Sequence, residues 1–261
     1  MPPGQVEKVR QDMEGYERAL TAQHFAISTN EDLAVKKKLD GYEQGELTID
    51  DLNENAGEEG NRELIGYYFL HPDDISTKAK YPISRSFRFA SAYPEAATLA
   101  QTYVNVYPDD SHAWSDLGYD YSILFELGDI NTDDQITSCY DNAVRLGDTN
   151  SIVPLALSAL VFNHMDVANR VIPELLMLHQ AGKLPNEDKP AVASILLTYA
   201  ITANREDIFI ETLNSEDLKE ILRQGDVIEE IKTGFKMFKG EEIKKIRKKV
   251  KKAQSEIAES E

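Results

Sequence analysis

The fold is decided by residues 114–121, WSDLGYDY, near the middle of a chain of 261 residues. Trp114, Leu117, Gly118 and Tyr121 are spaced at i, i+3, i+4 and i+7, which places them on one stripe of an α-helix. Glycine costs about 1 kcal/mol relative to alanine inside a helix, so the missing side chain at Gly118 needs a compensating gain. Close approach of a neighbouring helix is the usual gain. The stretch therefore predicts one helix of a tightly packed pair.

The sequence on either side of this stretch supplies the rest of the pair. A second helical segment ends in Tyr140-x-x-Ala143, and Pro108 lies just upstream of the tryptophan, where one helix stops and the next begins. These residues resemble the tetratricopeptide (TPR) repeat, whose signature is W-x2-L-G-x2-Y, then A-x3-F-x2-A, then Pro. The first helix of the repeat is matched in type and spacing by Trp114, Leu117, Gly118 and Tyr121.

The resemblance extends in part to a preceding repeat and departs inside the central one. Ala96 and Pro108 occupy late positions of a preceding repeat in the right register, although Ala100 and Tyr103 are not the usual Phe and Ala. Residues 127–137, LGDINTDDQIT, make the central turn roughly six residues too long for a standard repeat. Two later repeats are indicated by pattern alone. The resemblance implies an all-α fold, a short right-handed stack of TPR-like helical hairpins.

The apolar periodicity predicts the individual helices and a division into three segments. Helix pairs are expected at 83–93 with 94–107, 111–126 with 134–146, 151–163 with 167–180, and 190–203 with 206–213. Ser215 is expected to cap a short helix that Gly225 ends. A basic amphipathic tail is expected to cap the stack, as a helix at 226–238 extended by 241–258. The predicted segments are 1–82, 83–225 and 226–261.

The N-terminal segment 1–82 predicts a less regular helical region. An amphipathic helix is expected at 5–27 and a shorter one at 30–39. Residues 40–62 contain four glycines and a surplus of acid, so they predict a mobile loop, interrupted by a possible one-turn helix after Thr48. The apolar run 64–70, LIGYYFL, fits either a helix or a buried strand. A helix is favoured because nothing else in the chain supplies strand partners.

Composition indicates a soluble globular protein, with cytoplasmic location as the default expectation. Hydrophobic residues make up 41% and charged residues 28% of the chain, no apolar stretch is long enough to span a membrane, and no secretory signal is visible at the start. The net charge is −18, yet residues 229–261 carry +3 and residues 1–228 carry −21. Such an acidic body repels nucleic acid and anionic membrane and attracts basic partners, although simple solubility is the favoured explanation of the charge.

Candidate catalytic and metal-binding patterns are weak. Asp129, Asn131 and Asp133 resemble the opening of a calcium loop, but Asp134 replaces the required glycine and Tyr140 the required glutamate, so a polar turn is favoured. The single cysteine, Cys139, excludes an internal disulfide and predicts a small buried residue. No histidine pairs with another His or Cys at i+3 or i+4, and no phosphate-binding or nucleophile motif occurs. We therefore expect no enzyme activity, cofactor or metal.

A concave surface lined by the first helix of each pair is what the TPR resemblance implies as the binding site. In this register the partner-binding residues are Arg85, Arg88, His112, Asp116, Tyr119, Ser122, Leu155 and Phe162, with Ser115 beside them. Chaperone-tail binding is disfavoured because the Lys and Asn clamp of some TPR domains is missing. The mixed lining suits an amphipathic helix or an extended peptide. Alternatively, segment 1–82 covers part of this surface, since it must dock somewhere.

The basic tail allows two interpretations. Residues 244–252 contain seven Lys and Arg around an apolar stripe, which would suit contact with an anionic membrane or nucleic acid. A solvated helix that neutralises part of the acidic body is favoured, because that body opposes anionic surfaces. The expected function is protein–protein interaction, as an adaptor, a chaperone-like protein or an assembly subunit. The alternative is an acidic inhibitor or immunity-type protein that neutralises a basic partner.

Overall fold

The computed structural model describes residues 29–128, 133–184, 189–214, 218–223 and 225–258. These residues form helices joined by turns, and no strand occurs among them, so the predicted all-α class is confirmed. The chain divides into two compact units, Met1–Ser151 and Ile152–Glu261. The predicted helix at 5–27, the calcium-loop residues Asp129 and Asn131, and the predicted cap Ser215 lie outside the described residues. Within those residues, no helix combines the length and the apolarity that a membrane crossing requires.

Helices that follow one another in the chain pack together in the first unit. They are α1 (Thr29–Gln44), α2 (Ile49–Leu52), α3 (Gly57–Leu70), α4 (Lys80–Phe89), α5 (Tyr93–Val104), α6 (Ser111–Leu127) and α7 (Asp133–Arg145). Short 3-10 turns lie at Pro72–Asp74 and Thr149–Ser151. α1 packs against α3, and each helix from α3 to α6 packs against the next. The helices expected at 83–107 and 111–146 are α4 to α7, and the boundary expected after residue 82 falls inside α4.

Local sequence determines where α6 begins and ends. At its start the carboxylate of Asp110 accepts hydrogen bonds from the backbone N–H groups of His112 and Ala113, both at 3.1 Å, which satisfies two unpaired donors of the first turn. At its end Gly128 has a φ of +81°, in the left-handed region that favours glycine. Gly118 is buried in between, beneath the ring of Tyr140 on α7. The predicted close approach of two helices at Gly118 is confirmed.

Two hydrophobic clusters hold the first unit together. One joins α1 to α5 around Leu64, Ile83 and Phe87, and the other joins α4 to α7 around Leu117. Cys139 belongs to the second cluster and is buried there, as predicted. Burial, with a smaller contribution from the nearby Asp120 charge, raises the pKa of its thiol to about 12. The cysteine is therefore a packed, protonated core residue.

The acidic segment 40–62 is largely helical, which corrects the prediction of a mobile loop. α1 continues past its predicted end to Gln44, and the one-turn helix expected after Thr48 is α2. Thr48 and Asp51 form a capping box, in which each side chain bonds the other residue's backbone N–H. Leu52 is buried in the first cluster and Ile49 packs against the second, so apolar contacts anchor a segment whose composition suggests a loop. The run 64–70 lies in α3, as favoured.

The second unit is arranged around α10. Its described helices are α8 (Ile152–Val161), α9 (Met165–Gln180), α10 (Lys189–Thr202), α11 (Glu206–Leu213), α12 (Leu218–Leu222), α13 (Gly225–Met237) and α14 (Glu241–Ala258). α10 packs against α8, α9, α11, α12 and α13, as expected for a helix that is apolar on most sides. α14 matches the helix predicted at 241–258. Gly225, expected to end a helix, instead begins α13.

Candidate functional site

Helices α4 and α6 carry most of the predicted interaction residues. Tyr81, Arg85 and Arg88 lie at i, i+4 and i+7 on α4, so they share one face of that helix. Asp116 and Asp120 lie one turn apart on α6, and side chains of the two helices meet through hydrogen bonds and ion pairs. The structure thus brings together basic residues of one helix and acidic residues of another, more than 25 residues away in sequence.

The centre of this contact is a buried ion pair between Arg88 and Asp120. Arg88 donates from Nε to Oδ1 of Asp120 at 2.6 Å and from a terminal nitrogen to Oδ2 at 3.0 Å, a bidentate geometry. Asp120 is 0% exposed. The other terminal nitrogen of Arg88 lies 2.5 Å from Oδ1 of Asp116. Arg88 therefore bridges two carboxylates and is committed to contacts within the chain.

Burial shapes the ionisation of this group. It raises the pKa of Asp120 to about 6, because a charged carboxylate loses its hydration, while the charge and hydrogen bonds of Arg88 oppose the rise. Burial alone would lower the pKa of Arg88, but the charges and hydrogen bonds of Asp120 and Asp116 outweigh it and raise the pKa above its ordinary value. Arg88 thus stays charged, and Asp120 is the member of the pair that titrates near neutral pH.

Arg85 is held by the N-terminal part of the chain. Its terminal nitrogens lie 3.0 Å from Glu54 and 3.5 Å from Asp50, and its Nε lies 3.7 Å from Asp116. Asp50 is on α2 and Glu54 follows it, so this corner covers the arginine. The alternative that segment 1–82 covers part of the predicted surface therefore applies at Arg85.

A cleft of about 460 Å³ remains open beside Arg85, and we name it the acidic cleft. Tyr81 stands in its wall and donates a hydrogen bond to Oδ2 of Asp116 at 2.9 Å. Burial, then the charges of Asp116 and Asp110, raise the pKa of Tyr81 above its ordinary value, so the phenol stays protonated. The lining carries three carboxyl groups against one guanidinium, and consists of Tyr42, Ile49, Asp50, Tyr81, Arg85, Asp110, His112, Ser115 and Asp116.

Tyr119 and Ser122 continue along α6 in different settings. The Tyr119 ring is 44% exposed, with the Arg88 guanidinium 5.8 Å from its centroid and the Tyr93 ring at 6.3 Å. The exposed Tyr119 ring is therefore held in place by a cation–π contact with Arg88. Ser122 donates to the backbone carbonyl of Gly118 at 2.8 Å and lies 3.4 Å from the Tyr140 hydroxyl. Its hydroxyl is therefore part of the contact between α6 and α7.

Leu155 and Phe162 belong to the second unit. Leu155 on α8 is fully buried, as are Ile152 and Ala159, so this stripe of α8 is core and is not available to a partner. This corrects the assignment of Leu155 to a binding surface, since its apolar side chain is used in packing. Phe162 follows α8 and is half-buried, with its ring 6.2 Å from that of His164.

Several residues of the acidic cleft were missed by the sequence analysis. Tyr81 precedes Arg85 by one helical turn, so the register assigned to α4 would have included it. Asp110 was identifiable as the residue that caps α6. Tyr42, Ile49 and Asp50 had no local signal, because their contact with α4 and α6 joins positions more than 30 residues apart.

The basic helix α14 uses its apolar stripe inside the second unit. Ile243, Ile246 and Val250 are buried, and α14 packs against α11 and α12. Those side chains are therefore not available for insertion into a membrane. Its lysines are exposed, and several pair with glutamates of the same helix, as Lys244 does with Glu241 and Lys245 with Glu242. This arrangement agrees with a solvated helix.

Neither the residues present nor comparison with known proteins identifies a chemical activity. Among the described residues, no three His, Cys, Asp or Glu side chains are grouped as ligands for a metal ion. The acidic cleft has three carboxyl groups and two tyrosine rings against one guanidinium, a composition that favours a cation over an anion. The chain matches neither a protein-family model nor a curated protein sequence.

Proposed function

We propose that this chain is a protein-interaction module and that its acidic cleft binds a basic segment of another protein. The observation that carries the proposal is the lining of the cleft, with three carboxyl groups, one guanidinium and two tyrosines. A lysine or arginine side chain entering the cleft would form charge-assisted hydrogen bonds and lie against aromatic faces. Arg85 is shared among Asp50, Glu54 and Asp116. Because Asp116 is also paired with Arg88, the entering cation would be held mainly by Asp50 and Asp110.

The charge of the first unit supports the same partner chemistry. Residues 1–151 contain 12 Lys and Arg against 28 Asp and Glu, a net charge of −16. Such a field accelerates the encounter with a basic partner and becomes weaker as salt rises. In this proposal α4 to α7 are two TPR-like hairpins, and α4 and α6 present the cleft and Tyr119 to an extended peptide or a helix. The protein would then act as an adaptor, a chaperone-like protein or a subunit of an assembly.

A second candidate function follows from the same charge. An inhibitor or immunity-type protein would use the whole acidic surface to neutralise a basic partner, without a dominant contribution from the cleft. The two functions differ in where the binding energy lies. A cleft concentrates it in a few partly buried contacts that control dissociation, whereas a diffuse acidic surface mainly controls association.

The test is a selection of short random peptides displayed on phage, followed by affinity measurements on the enriched sequences. Fluorescence anisotropy would compare the wild type with Asp50→Asn in the cleft and with Asp73→Asn, an exposed aspartate outside it. Both substitutions remove one negative charge, so they affect the long-range field equally. We expect enriched peptides to contain Lys or Arg, and Asp50→Asn to weaken their binding about two- to fivefold while Asp73→Asn has little effect.

The alternatives predict distinct results in the same experiment. Equal effects of Asp50→Asn and Asp73→Asn, together with steep weakening by salt, would favour the diffuse acidic surface and the inhibitor function. Enrichment of acidic or uncharged peptides would contradict both functions, because neither the cleft nor the surface field attracts them.

A further inference from the structure

Three of the helix pairs turn in the same way between their two helices. The first helices α4, α8 and α10 each end two residues before a residue with positive φ, which is +61° for Ser91, +59° for Asn163 and +55° for Asn204. The second helix of each pair begins two residues after it. In each turn the N–H group that follows bonds a carbonyl of the first helix, at 2.8, 2.7 and 2.7 Å, in the pairs Ala92 with Phe87, His164 with Ala159 and Arg205 with Ala200. These turns establish which positions of α4, α8 and α10 correspond.

Burial follows the same correspondence. The positions eight and four residues before the positive-φ residue are fully buried in every case: Ile83 and Phe87 in α4, Leu155 and Ala159 in α8, and Leu196 and Ala200 in α10. The three helices thus turn the same face to the core. A second face, which we name the lateral face, is formed by the positions ten, six and two residues before the positive-φ residue: Tyr81, Arg85 and Phe89 in α4, Val153, Leu157 and Val161 in α8, and Ser194, Thr198 and Thr202 in α10.

In α4 and α10 the lateral face is contacted by another segment of the same unit. On α10 the hydroxyls of Ser194 and Thr198 donate hydrogen bonds to the carboxylate of Glu230 on α13, at 3.0 and 2.8 Å, so α13 lies along this face. On α4 the guanidinium of Arg85 pairs with Glu54 at the corner after α2. The lateral face is therefore where these two helix pairs receive a further segment of the chain.

The lateral face of α8 is apolar and exposed. Leu157 is 50% exposed and Val161, one turn later, is 63% exposed. All of α8 lies in the described part of the chain, and its single polar residue, Ser158, is buried with its hydroxyl bonded to the carbonyl of Leu155. The residues of α8 that reach solvent are all apolar: Val153, Pro154, Leu157, Leu160 and Val161. Because a helix that is apolar on every side is normally buried, this face calls for a cover.

The neighbouring helices indicate the form of that cover. α8 packs against α10, so their corresponding faces adjoin, and the lateral face of α8 continues the surface on which α13 lies. A helix of ten residues offers a strip about 15 Å long and about 10 Å wide. Such a strip is much smaller than the roughly 800 Å² per partner that a stable dimer buries. It matches one short helix lying beside α13.

We propose that the lateral face of α8 binds an amphipathic helix of a partner protein through an aliphatic stripe on that helix. The stripe packs against Val153, Leu157 and Val161, as in other contacts between a helix and an apolar groove. A polar stripe would lose its hydration there without gaining hydrogen bonds, in contrast to Glu230 on the hydroxyls of α10. This site is independent of the acidic cleft, because it lies in the second unit and selects apolar instead of cationic side chains.

The test is a selection of helix-forming peptides displayed on phage, with random residues at positions i, i+3, i+4 and i+7, against the full chain. We expect the enriched peptides to carry Leu, Ile, Val or Met at these positions. Fluorescence anisotropy would then measure the affinity of an enriched peptide for the wild type and for variants. Leu157→Ser should weaken binding about fivefold or more, since it places a polar group at the centre of the contact.

Met177→Ser is the matched control, because Met177 is also an exposed apolar residue of the second unit but lies on α9, and this variant should bind as the wild type does. Asp50→Asn should also bind equally, which separates this site from the acidic cleft. Thermal unfolding establishes that the variants are folded before affinities are compared. The proposal is wrong if no peptide is enriched, if the enriched peptides lack an apolar stripe, or if the two serine variants lose equal affinity. Self-association of the wild type that Leu157→Ser abolishes, measured by analytical ultracentrifugation, would also overturn it by assigning the face to a second copy of the chain.

Discussion

Gly234 on α13 faces the ring of Phe209 on α11 with no room for a side chain. A Cβ atom at residue 234 would lie 2.0 Å from Cε2 of Phe209 and 2.4 Å from Cζ. The ring cannot easily move aside, because Phe209 is fully buried between the rings of Phe235 and Phe238, at 5.6 and 5.2 Å. The glycine is therefore required by the contact between two helices of the second unit.

Gly234→Ala should destabilise the protein even though alanine is the better helix former. The helical preference favours alanine by about 1 kcal/mol. Forcing a methyl group into the space of a buried ring costs more, so we expect a net loss of about 1–3 kcal/mol in the free energy of unfolding, measured with urea. Thr233→Ala, at an exposed neighbour, is the control and should change stability little. A stabilised Gly234→Ala variant would contradict the packing described for α11 and α13.

Gly118→Leu tests the corresponding contact of the first unit. A Cβ at Gly118 would lie 3.0 Å from Cε1 of the buried Tyr140 ring, so the larger leucine side chain must displace that ring. We expect a loss of about 1–3 kcal/mol in the free energy of unfolding. In a Tyr140→Ala background the same substitution should cost clearly less, because the obstructing ring is gone. Equal costs in the two backgrounds would show that Gly118 and Tyr140 do not interact.

We expect the loss of the buried Arg88–Asp120 ion pair to lower the free energy of unfolding much more than the loss of an exposed ion pair. Arg88→Met leaves the carboxylate of Asp120 buried without its main partner, so we expect a loss of about 3–5 kcal/mol in the free energy of unfolding at neutral pH. The double variant Arg88→Met/Asp120→Leu removes both charges and should be more stable than the single variant.

The second unit offers a matched control for this prediction. Arg205 and Asp207 form a bidentate pair of similar geometry, at 2.9 and 2.6 Å, on the exposed surface. Arg205→Met should cost less than about 1 kcal/mol, because water solvates the remaining carboxylate. If the two arginine substitutions had equal effects, burial would not be the factor that makes the Arg88 pair important.

The raised pKa of Asp120 predicts a pH dependence of stability. Its ordinary value is 3.8 and its value in the folded protein is about 6, so the folded state holds the proton more tightly between these two values. The contribution of Asp120 to stability is then fully present below about pH 4 and is lost as the pH rises through 6.

The measurement is the difference in unfolding free energy between the wild type and Asp120→Asn across this pH range. As the pH rises from 4 to 7, the wild type should lose about 2–3 kcal/mol of unfolding free energy relative to Asp120→Asn. Titration of other groups cancels in the comparison. A shift in favour of the wild type would mean that the charge of Arg88 outweighs burial and lowers the pKa of Asp120.

Sequence predicted the features of this protein that depend on neighbouring positions. The all-α class, the limits of α14 and the contact at Gly118 follow from helical periodicity and from one glycine that a helix would not otherwise retain. Gly234 carried the same signal, a glycine inside an apolar helical stripe, and it could have been recognised. Leu155 was assigned to a surface because a repeated register was extended to α8, where the stripe is instead buried in the core.

The candidate site was less predictable because its contacts join distant parts of the chain. Arg85 meets Glu54 across 31 residues, and Arg88 meets Asp120 across 32. No periodicity links such positions, so the sequence identified the helices and the charged residues but not their partners. The corner after α2 that covers Arg85 is anchored by Leu52 and by the hydrogen bonds of the buried Asn53 to α4, in a segment whose composition resembles a loop.

The protonated thiol of Cys139 gives this protein an internal reporter of its own opening. A thiol reagent attacks the thiolate, which burial makes scarce, and it must also reach a side chain enclosed by the core around α6 and α7. The rate of labelling would then measure how often this region opens locally, and no other thiol would contribute to the signal because the chain has a single cysteine. Wild-type protein is thus sufficient to observe whether a bound peptide makes the α6–α7 region open less often.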